Sequence, residues 1–225
     1  MRDRIRNIIS FLWGLRVKRV NSALNGALEV WYIKGKYQLD AKSVNYSYGS
    51  LHRLFQRVFN ETGIKKMQPS SLLLLGLGGG SVISIIRNDL GLSTRITAVE
   101  HDPEIIKLAE DYFGIRNFDG VTVFLEDALD FVSKSREKYD VIVVDLLHDR
   151  DVPEKFISGD FVKACAYLLN ANGMILFNFI ILTKNHHRLF NRLVDLFREF
   201  ANNFSIIEAF VTYRVIVYRK PEAGN

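Results

Sequence analysis

The run Leu72-Leu73-Leu74-Leu75-Gly76-Leu77-Gly78-Gly79-Gly80-Ser81 constrains this chain more than any other stretch. Four consecutive apolar residues suit a central strand of a parallel sheet, covered by helices on both faces, rather than a half-exposed strand. Glycines at 76, 78 and 80 let the backbone turn sharply and approach a ligand with no side chain in the way. Ser81 is placed to cap a helix in which Val82, Ile83, Ile85 and Ile86 form an apolar face. The N-terminus of that helix aims its free N–H groups and positive dipole at the turn. Tight strand-to-helix turns that bind nothing look similar, so the next strand has to give this one its meaning.

Arg95-Ile96-Thr97-Ala98-Val99-Glu100 reads as that strand, and its terminal acid lies 24 residues after Gly76. That is near the roughly 20-residue spacing at which a carboxylate meets ribose hydroxyls. Asp102 and Pro103 then open a helix as N-cap and first helical residue, and on a purely local reading Glu100 belongs to that cap. A dinucleotide fingerprint, G-x-G-x-x-G, needs glycine at 81, where this chain has serine. The spacing present is G-x-G-x-G.

Further strands follow at Val121–Leu125, before Glu126-Asp127-Ala128, at Asp140–Asp145 and at Gly173–Asn178. Asn185–Phe200 carries Leu189, Phe190, Leu193, Leu196, Phe197 and Phe200 at helical spacing, a core face. Ser205–Val211 and Tyr213–Arg219 then read as two strands joined almost directly. Upstream, Asn25-Gly26 is a hairpin signal between Val20–Leu24 and Ala27–Ile33. Lys34-Gly35-Lys36 turns the chain again.

The order of these elements over residues 70–219, with G-x-G-x-G at the first turn, resembles the class I AdoMet-dependent methyltransferases. Within that superfamily four motifs resemble the spermidine synthase group: Gly76-Leu77-Gly78-Gly79-Gly80, Val99-Glu100-His101-Asp102-Pro103-Glu104, Glu126-Asp127-Ala128-Leu129-Asp130-Phe131 and Asp145-Leu146-Leu147-His148-Asp149. The resemblance spans roughly 17–219. It implies an α/β fold: a Rossmann-like, doubly wound sheet over 51–225 ending in an antiparallel hairpin, preceded by a small β-hairpin region within 1–50. It also implies roles. Gly76, Gly78, Gly80, Glu100 and Asp127 hold the nucleoside, Asp127 against adenine, and Asp145 stands at the reaction centre. Tyr46 and Tyr48 correspond to the family's tyrosine-bearing segment and cover cofactor or acceptor, and packing across the hairpin region is the alternative. The implied cofactor is S-adenosylmethionine or its decarboxylated form, with no metal.

The acceptor side departs from that pattern. Spermidine synthases read D-S-S-D at the fourth strand; here the second acid's place falls on His148, with Asp149 one residue later. The acid pair before the family's tyrosine appears as Val44-Asn45, and the Gln-Glu after it as Gly49-Ser50. Each carboxylate lost near a diammonium substrate forfeits on the order of 1–4 kcal/mol at about 4 Å. Asp149 and Asp151 compensate if their loop folds inward. Two classes of function remain open. One is a transferase, with methyl transfer to a small-molecule acceptor, such as an amine, at a diverged acceptor site favoured over aminopropyl transfer. The other is a nucleoside-binding module without turnover. Asp145 and His148 are the catalytic candidates of the first class, with Asp149 on the substrate.

A net charge of +5 points weakly to nucleic acid, but the charge forms no stripe and no recognition motif accompanies it. Arg2, Arg4, Arg6, Arg16, Lys18 and Arg19 instead flank Ile5, Ile8, Ile9, Phe11, Leu12, Trp13 and Leu15. The apolar run Ile8–Trp13 is too short to span a bilayer. It reads as a basic helix packed on its own domain or a dimer mate, in preference to one lying on an anionic membrane. Val30, Trp31, Tyr32 and Ile33 are a large apolar surface for one hairpin, which calls for a homodimer or higher oligomer. The single cysteine, Cys165, excludes an internal disulfide and reads as a buried thiol in a reducing, cytoplasmic protein. His186-His187 lacks partners at metal-ligand spacing. His52 reads as part of a solvated face with Arg53 and Arg57, and His101 as pointing to the opposite face of the strand end from Glu100.

Overall fold

The computed structural model describes Asn7, Ser10, Phe11 and residues 13–41, 44–45, 49–147, 151–201 and 203–222. Two sheets organise them. The first is antiparallel and four-stranded, in the order β1 (Leu15–Ser22), β2 (Gly26–Ile33), β3 (Lys36–Ala41) and β4 (Val44–Asn45). The hairpin expected at Asn25-Gly26 forms with longer strands: Ser22 pairs with Gly26, so Ala23, Leu24 and Asn25 make the loop. Gly26 takes the left-handed conformation that such three-residue loops require.

The second sheet has seven strands in the order β10-β11-β9-β8-β5-β6-β7. β5 (Ser71–Leu75), β6 (Arg95–Glu100), β7 (Val121–Leu125), β8 (Tyr139–Val144) and β9 (Leu169–Ile180) are parallel; β10 (Phe204–Ala209) and β11 (Tyr213–Arg219) form the terminal antiparallel hairpin. Each residue of β5 is buried. Strand alternation sends Leu72 and Leu74 into one apolar layer and Leu73 and Leu75 into the other. Helix α1 (Ser50–Thr62) covers the first face, burying Leu51, Leu54, Phe55, Val58 and Phe59 at helical spacing. A short helix α2 (Ile64–Met67) follows, and α3 (Ser81–Ser84) and α4 (Pro103–Phe113) add to that side. Helices α5 (Ala128–Lys134), α6 (Gly159–Tyr167) and α7 (Lys184–Phe200) cover the opposite face.

Several local expectations change. Gly80 is the N-cap of α3, which makes no side-chain cap bond, and Ser81 is its first helical residue rather than its cap. The helix widens into a π turn, Ile85–Asp89, closed by Leu90 N–H to Ile85 O at 2.9 Å. That turn carries Asp89 to α1, where it accepts from Gln56 at 2.8 Å and meets His52 Nε2 at 3.2 Å. His52 is therefore buried, not part of a solvated face, and burial lowers its pKa despite Asp89. β10 ends at Ala209, two residues short of the expected Val211. Cys165 is buried in α6, as its neighbours imply, and burial pushes its thiol pKa up.

The small sheet docks on α4. Leu28, Val30, Leu39 and Ala41 pack with Ile105 and Leu108, and the Tyr37 ring meets those of Tyr112 and Phe113 at 5.5 and 6.4 Å. Val30, one of the residues read as calling for a second subunit, is thus covered within the chain; Trp31, Tyr32 and Ile33 are half-buried. Ser10 likewise packs on its own chain, where its carbonyl accepts from Lys34 N–H at 2.8 Å and its hydroxyl from Gly35 N–H at 3.0 Å. Among the described residues no helix is long and apolar enough to cross a membrane.

Asp102 joins the two sheets. Its Oδ1 caps α4 by accepting from Glu104 N–H at 2.9 Å, while its Oδ2 accepts from Asn25 Nδ2 at 2.6 Å and from the Ser22 hydroxyl. Asp102 is 1% exposed, so removing it takes the shared acceptor from two buried donors as well as the cap. Asp102→Ala should lower the unfolding free energy by about 3 kcal/mol, read as a fall in the urea midpoint with an unchanged m-value.

Candidate active site

The chain runs outward from β5 to β6 and β7 and then returns across β5 to β8. A crevice opens at such a reversal, beyond the carboxyl ends of the strands. Here it is lined by Gly76, Gly78, Glu100, His101, Asp127, Asp145 and Lys155, with Asn25, Leu51, Ile105, Pro153 and Phe156 among the walls. Its empty space, open mouth included, is about 790 Å³.

Gly76 follows β5 at φ 94°, and a Cβ placed there would lie 2.2 Å from the Asp145 carbonyl oxygen. A Cβ at Gly80, φ 73°, would meet Ile115 Cδ1 at 2.2 Å. The turn is therefore held against β8 on one side and the segment after α4 on the other. Neither position admits a side chain without displacing its neighbour.

Glu100 is 5% exposed and its carboxylate is held by backbone. Oε1 accepts from the N–H groups of His101 and Asp102 at 2.9 and 3.0 Å, and Oε2 from Leu77 N–H at 3.2 Å. Glu100 thus braces both the glycine turn and the entry to α4, as its local reading at that cap has it. His101 points the other way from its expected direction. Its Nδ1 lies 3.1 Å from Glu100 Oε1 and its ring lines the cleft. The residue sits past the end of β6, where strand alternation no longer governs side-chain direction. The hydrogen bond to Glu100 raises its pKa above the ordinary histidine value, against the effect of burial.

Asp127 caps α5, accepting from Leu129 N–H at 2.9 Å, and its other oxygen accepts from Lys155 Nζ at 2.5 Å. Burial pushes its pKa up, but the Lys155 and backbone hydrogen bonds together with the Lys155 charge hold it below the usual carboxylate value.

Asp145 follows β8 and is partly buried at the cleft. Its Oδ1 accepts from Asn178 Nδ2 at 2.8 Å. Burial, with a smaller push from Glu100, raises its pKa from 3.8 to about 6 despite that hydrogen bond. Asn178 is fully buried, and its Oδ1 has no hydrogen-bond partner among the described residues. Tyr213, whose hydroxyl lies 3.2 Å from Ser50 Oγ, is close enough for the Asp145 charge to add to burial in raising its pKa.

The structure therefore gathers Gly76, Gly78, Glu100, Asp127 and Asp145 at one cleft, with Gly80 closing the turn beside it. His148, Asp149, Tyr46 and Tyr48 lie outside the described residues. Asp151, considered as a compensating acid, is engaged elsewhere: its Oδ1 lies 2.5 Å from His186 Nε2. His186 Nδ1 accepts from Leu182 N–H at 3.0 Å, so the ring hydrogen on Nε2 is the one donated to Asp151. Among the described residues no group of three His, Cys, Asp or Glu side chains is arranged to hold a metal ion. Lys155, Asn178 and Tyr213 were not singled out in the sequence. Asn178 had a signal, a polar residue inside the apolar run of β9, one position after the register pair Val144 and Phe177, beside Asp145.

A seven-stranded sheet of this order, with acids at three strand ends around a glycine turn, is the Rossmann-like fold of the class I methyltransferases. Residues 55–213 match the family model of the spermine/spermidine synthase domain, and the chain belongs to that family. It is 27% identical over 164 residues to the eEF1A lysine and N-terminal methyltransferase homolog of Drosophila melanogaster, a match covering 66% of this chain and 24% of that protein. It is 28% identical over 138 residues to the polyamine aminopropyltransferase of Vibrio vulnificus (strain CMCP6), covering 60% of this chain and 46% of the relative. The chain thus spans less than half the length of either. The crystal structure of human methyltransferase-like protein 13 in complex with SAH superposes with a TM-score of 0.65 at 20% identity, covering 79% of this chain and 85% of that one. At that identity the likeness is one of fold.

Two outcomes follow. Gly76→Ala should cost at least about 2 kcal/mol of stability, through strain at positive φ and the clash with Asp145, and should abolish nucleoside binding by calorimetry. For Asp145, the folded state holds the proton more tightly than the unfolded chain. Its burial therefore costs nothing below the ordinary carboxylate value, and stability falls as pH rises from there through about 6. Asp145→Asn should be more stable than the parent by about 2–3 kcal/mol near pH 8, a gap that closes by about pH 4 in urea unfolding series.

Proposed function

We propose that this chain is an AdoMet-dependent methyltransferase whose acceptor is an amine carried on a protein. One observation carries the reading. Among the described residues, the cleft sets the glycine turn, Glu100 and Asp127 beside a single partly buried carboxylate on the acceptor side, Asp145, where a polyamine site needs several. The glycine turn approaches β8 too closely for side chains, and Glu100 and Asp127 line the cleft beside it; this lining supports the reading in which Glu100 meets the ribose hydroxyls and Asp127 a base amino group of this cofactor. Asp151 is drawn to His186 and does not add a second acid to the cleft. The protein acceptor, in place of the small molecule expected from sequence, is supported by relatives named for lysine and N-terminal methylation of eEF1A.

When bound, the cofactor supplies a methyl group already activated by its sulfonium. The remaining task is positioning and a local field. Asp145 Oδ2, the oxygen not engaged by Asn178, accepts a hydrogen bond from the acceptor N–H and aims the nitrogen lone pair into the cleft. As the nitrogen gains positive charge, the carboxylate stabilises it in a site partly shielded from water. Glu100 and Asp127 fix the nucleoside at a distance from this step. Aminopropyl transfer from decarboxylated AdoMet is the second reading, favoured by the family match and by the Vibrio relative.

The test is transfer of labelled methyl from AdoMet to peptides with a free α-amino group or lysine, run beside putrescine with decarboxylated AdoMet. Methylated peptide supports the proposal, and aminopropylated putrescine alone overturns it. Asp145→Asn should lower kcat by about 10²–10³-fold while S-adenosylhomocysteine affinity stays within about twofold. The parent's kcat/KM should fall on the acid side with an apparent pKa of about 6, as Asp145 takes up a proton.

A further inference from the structure

The base end of the cleft contains an ammonium group that the nucleoside reading does not use. Lys155 sits on the single turn Glu154–Phe156 after β8, and its Nζ lies 2.5 Å from Asp127 Oδ2 and 4.9 Å from the centre of the Phe156 ring. Lys155, Asp127, Pro153 and Phe156 all line the cleft. The lysine is half-exposed and the aspartate about a quarter exposed, so both face the space a base would fill.

A lone carboxylate is a poor judge of purines. It accepts a hydrogen from the 6-amino group of adenine, and after a small shift it accepts equally well from the N1–H of a 6-oxo purine. An ammonium fixed beside it removes that ambiguity. Lysine only donates, so it pairs with the unprotonated ring nitrogen next to an amino group and opposes an N1–H. The two side chains present an acceptor next to a donor, complementary to the donor and acceptor edge of a 6-amino purine. Asp127 Oδ1 is occupied by the α5 cap, which fixes the carboxylate plane and leaves Oδ2 as the oxygen shared between base and lysine.

We propose that Lys155 is a specificity-determining residue: with Asp127 it forms a two-point reader that selects adenine nucleosides over 6-oxo purine nucleosides in this cleft. This rests on the nucleoside-binding reading above. Asp127 keeps its charge through the neutral range, because Lys155 and the backbone hold its pKa down against burial. The apolar Phe156 ring beside the ammonium shields the pair on one side.

Titration calorimetry of the full chain with S-adenosylhomocysteine and its deaminated analogue S-inosylhomocysteine tests this, using the parent and Lys155→Met, a variant that keeps an unbranched apolar stem. The parent should prefer the adenosyl ligand by about 100-fold or more. In Lys155→Met that ratio should fall by about tenfold, with the thermal unfolding midpoint showing that the variant is folded. An unchanged ratio, or tighter adenosyl binding in Lys155→Met, overturns the role of Lys155 and shows the lysine to be a competitor for Asp127. If neither ligand binds the parent, the nucleoside reading fails first and this inference with it. Lys155→Arg, which keeps the charge and the donors, should restore most of the ratio; failure to do so when Lys155→Met has lowered it assigns the loss to packing on Phe156 and overturns the proposal.

Discussion

Three backbone hydrogen bonds carry the parallel ladder one residue beyond the strands that define it. Gly76 N–H donates to Val99 O at 2.9 Å, Asp145 N–H to Leu75 O at 2.8 Å, and Glu126 N–H to Glu100 O at 3.0 Å. The residues just past β5, β7 and β8 are therefore sheet-like in position although they belong to loops. A central strand buried on both faces cannot exist without helices on both, so the apolar character of Leu72–Leu75 commits the chain to two helical layers. Those layers leave the carboxyl ends of the strands as the open edge. The glycine turn then passes within contact distance of the residue that follows β8.

The acids around the cleft are alike in type and unlike in state because each is satisfied by a different partner. Glu100 is held by three backbone N–H groups and serves as a brace. Asp127 faces an ammonium that keeps it ionised. Asp145 has a neutral amide for a partner and loses more to burial than it regains, so its pKa rises to about 6. Burial without a counter-charge is what leaves a carboxylate able to exchange a proton near neutrality. The same feature costs stability, in keeping with the usual trade between a reactive site and a relaxed fold.

The sheet and the glycine-turn side of the cleft were legible because their signals are contiguous. A strand, its glycine turn and the following acid lie on one short stretch, and a run such as Val141–Val144 has few alternatives to a buried parallel strand. What stayed hidden depends on distant pairs. His52 looked solvated beside Arg53 and Arg57, but the π turn 37 residues later swings Asp89 onto it. Lys155 in Glu154-Lys155 looks like any surface charge until a 28-residue return brings it to Asp127. His101 was misdirected because two-residue alternation was extended past the end of β6. Asp151 shows the limit of motif reading: its proximity in sequence to Asp145 suggested a shared site, and His186 from α7 decides otherwise.

Asp102 gives the small sheet an importance beyond its size. The aspartate that caps α4 also holds Ser22 and Asn25, and Asn25 in turn forms part of the cleft wall. For any ligand that touches Asn25, docking of the sheet and occupancy of the cleft would be two sides of one thermodynamic cycle, each changing the other by the same factor. An antiparallel appendage that makes no part of the Rossmann-like layers thus supplies a wall residue to the cleft those layers form, and the seam at Asp102 ties the shape of that wall to the docking of the whole sheet.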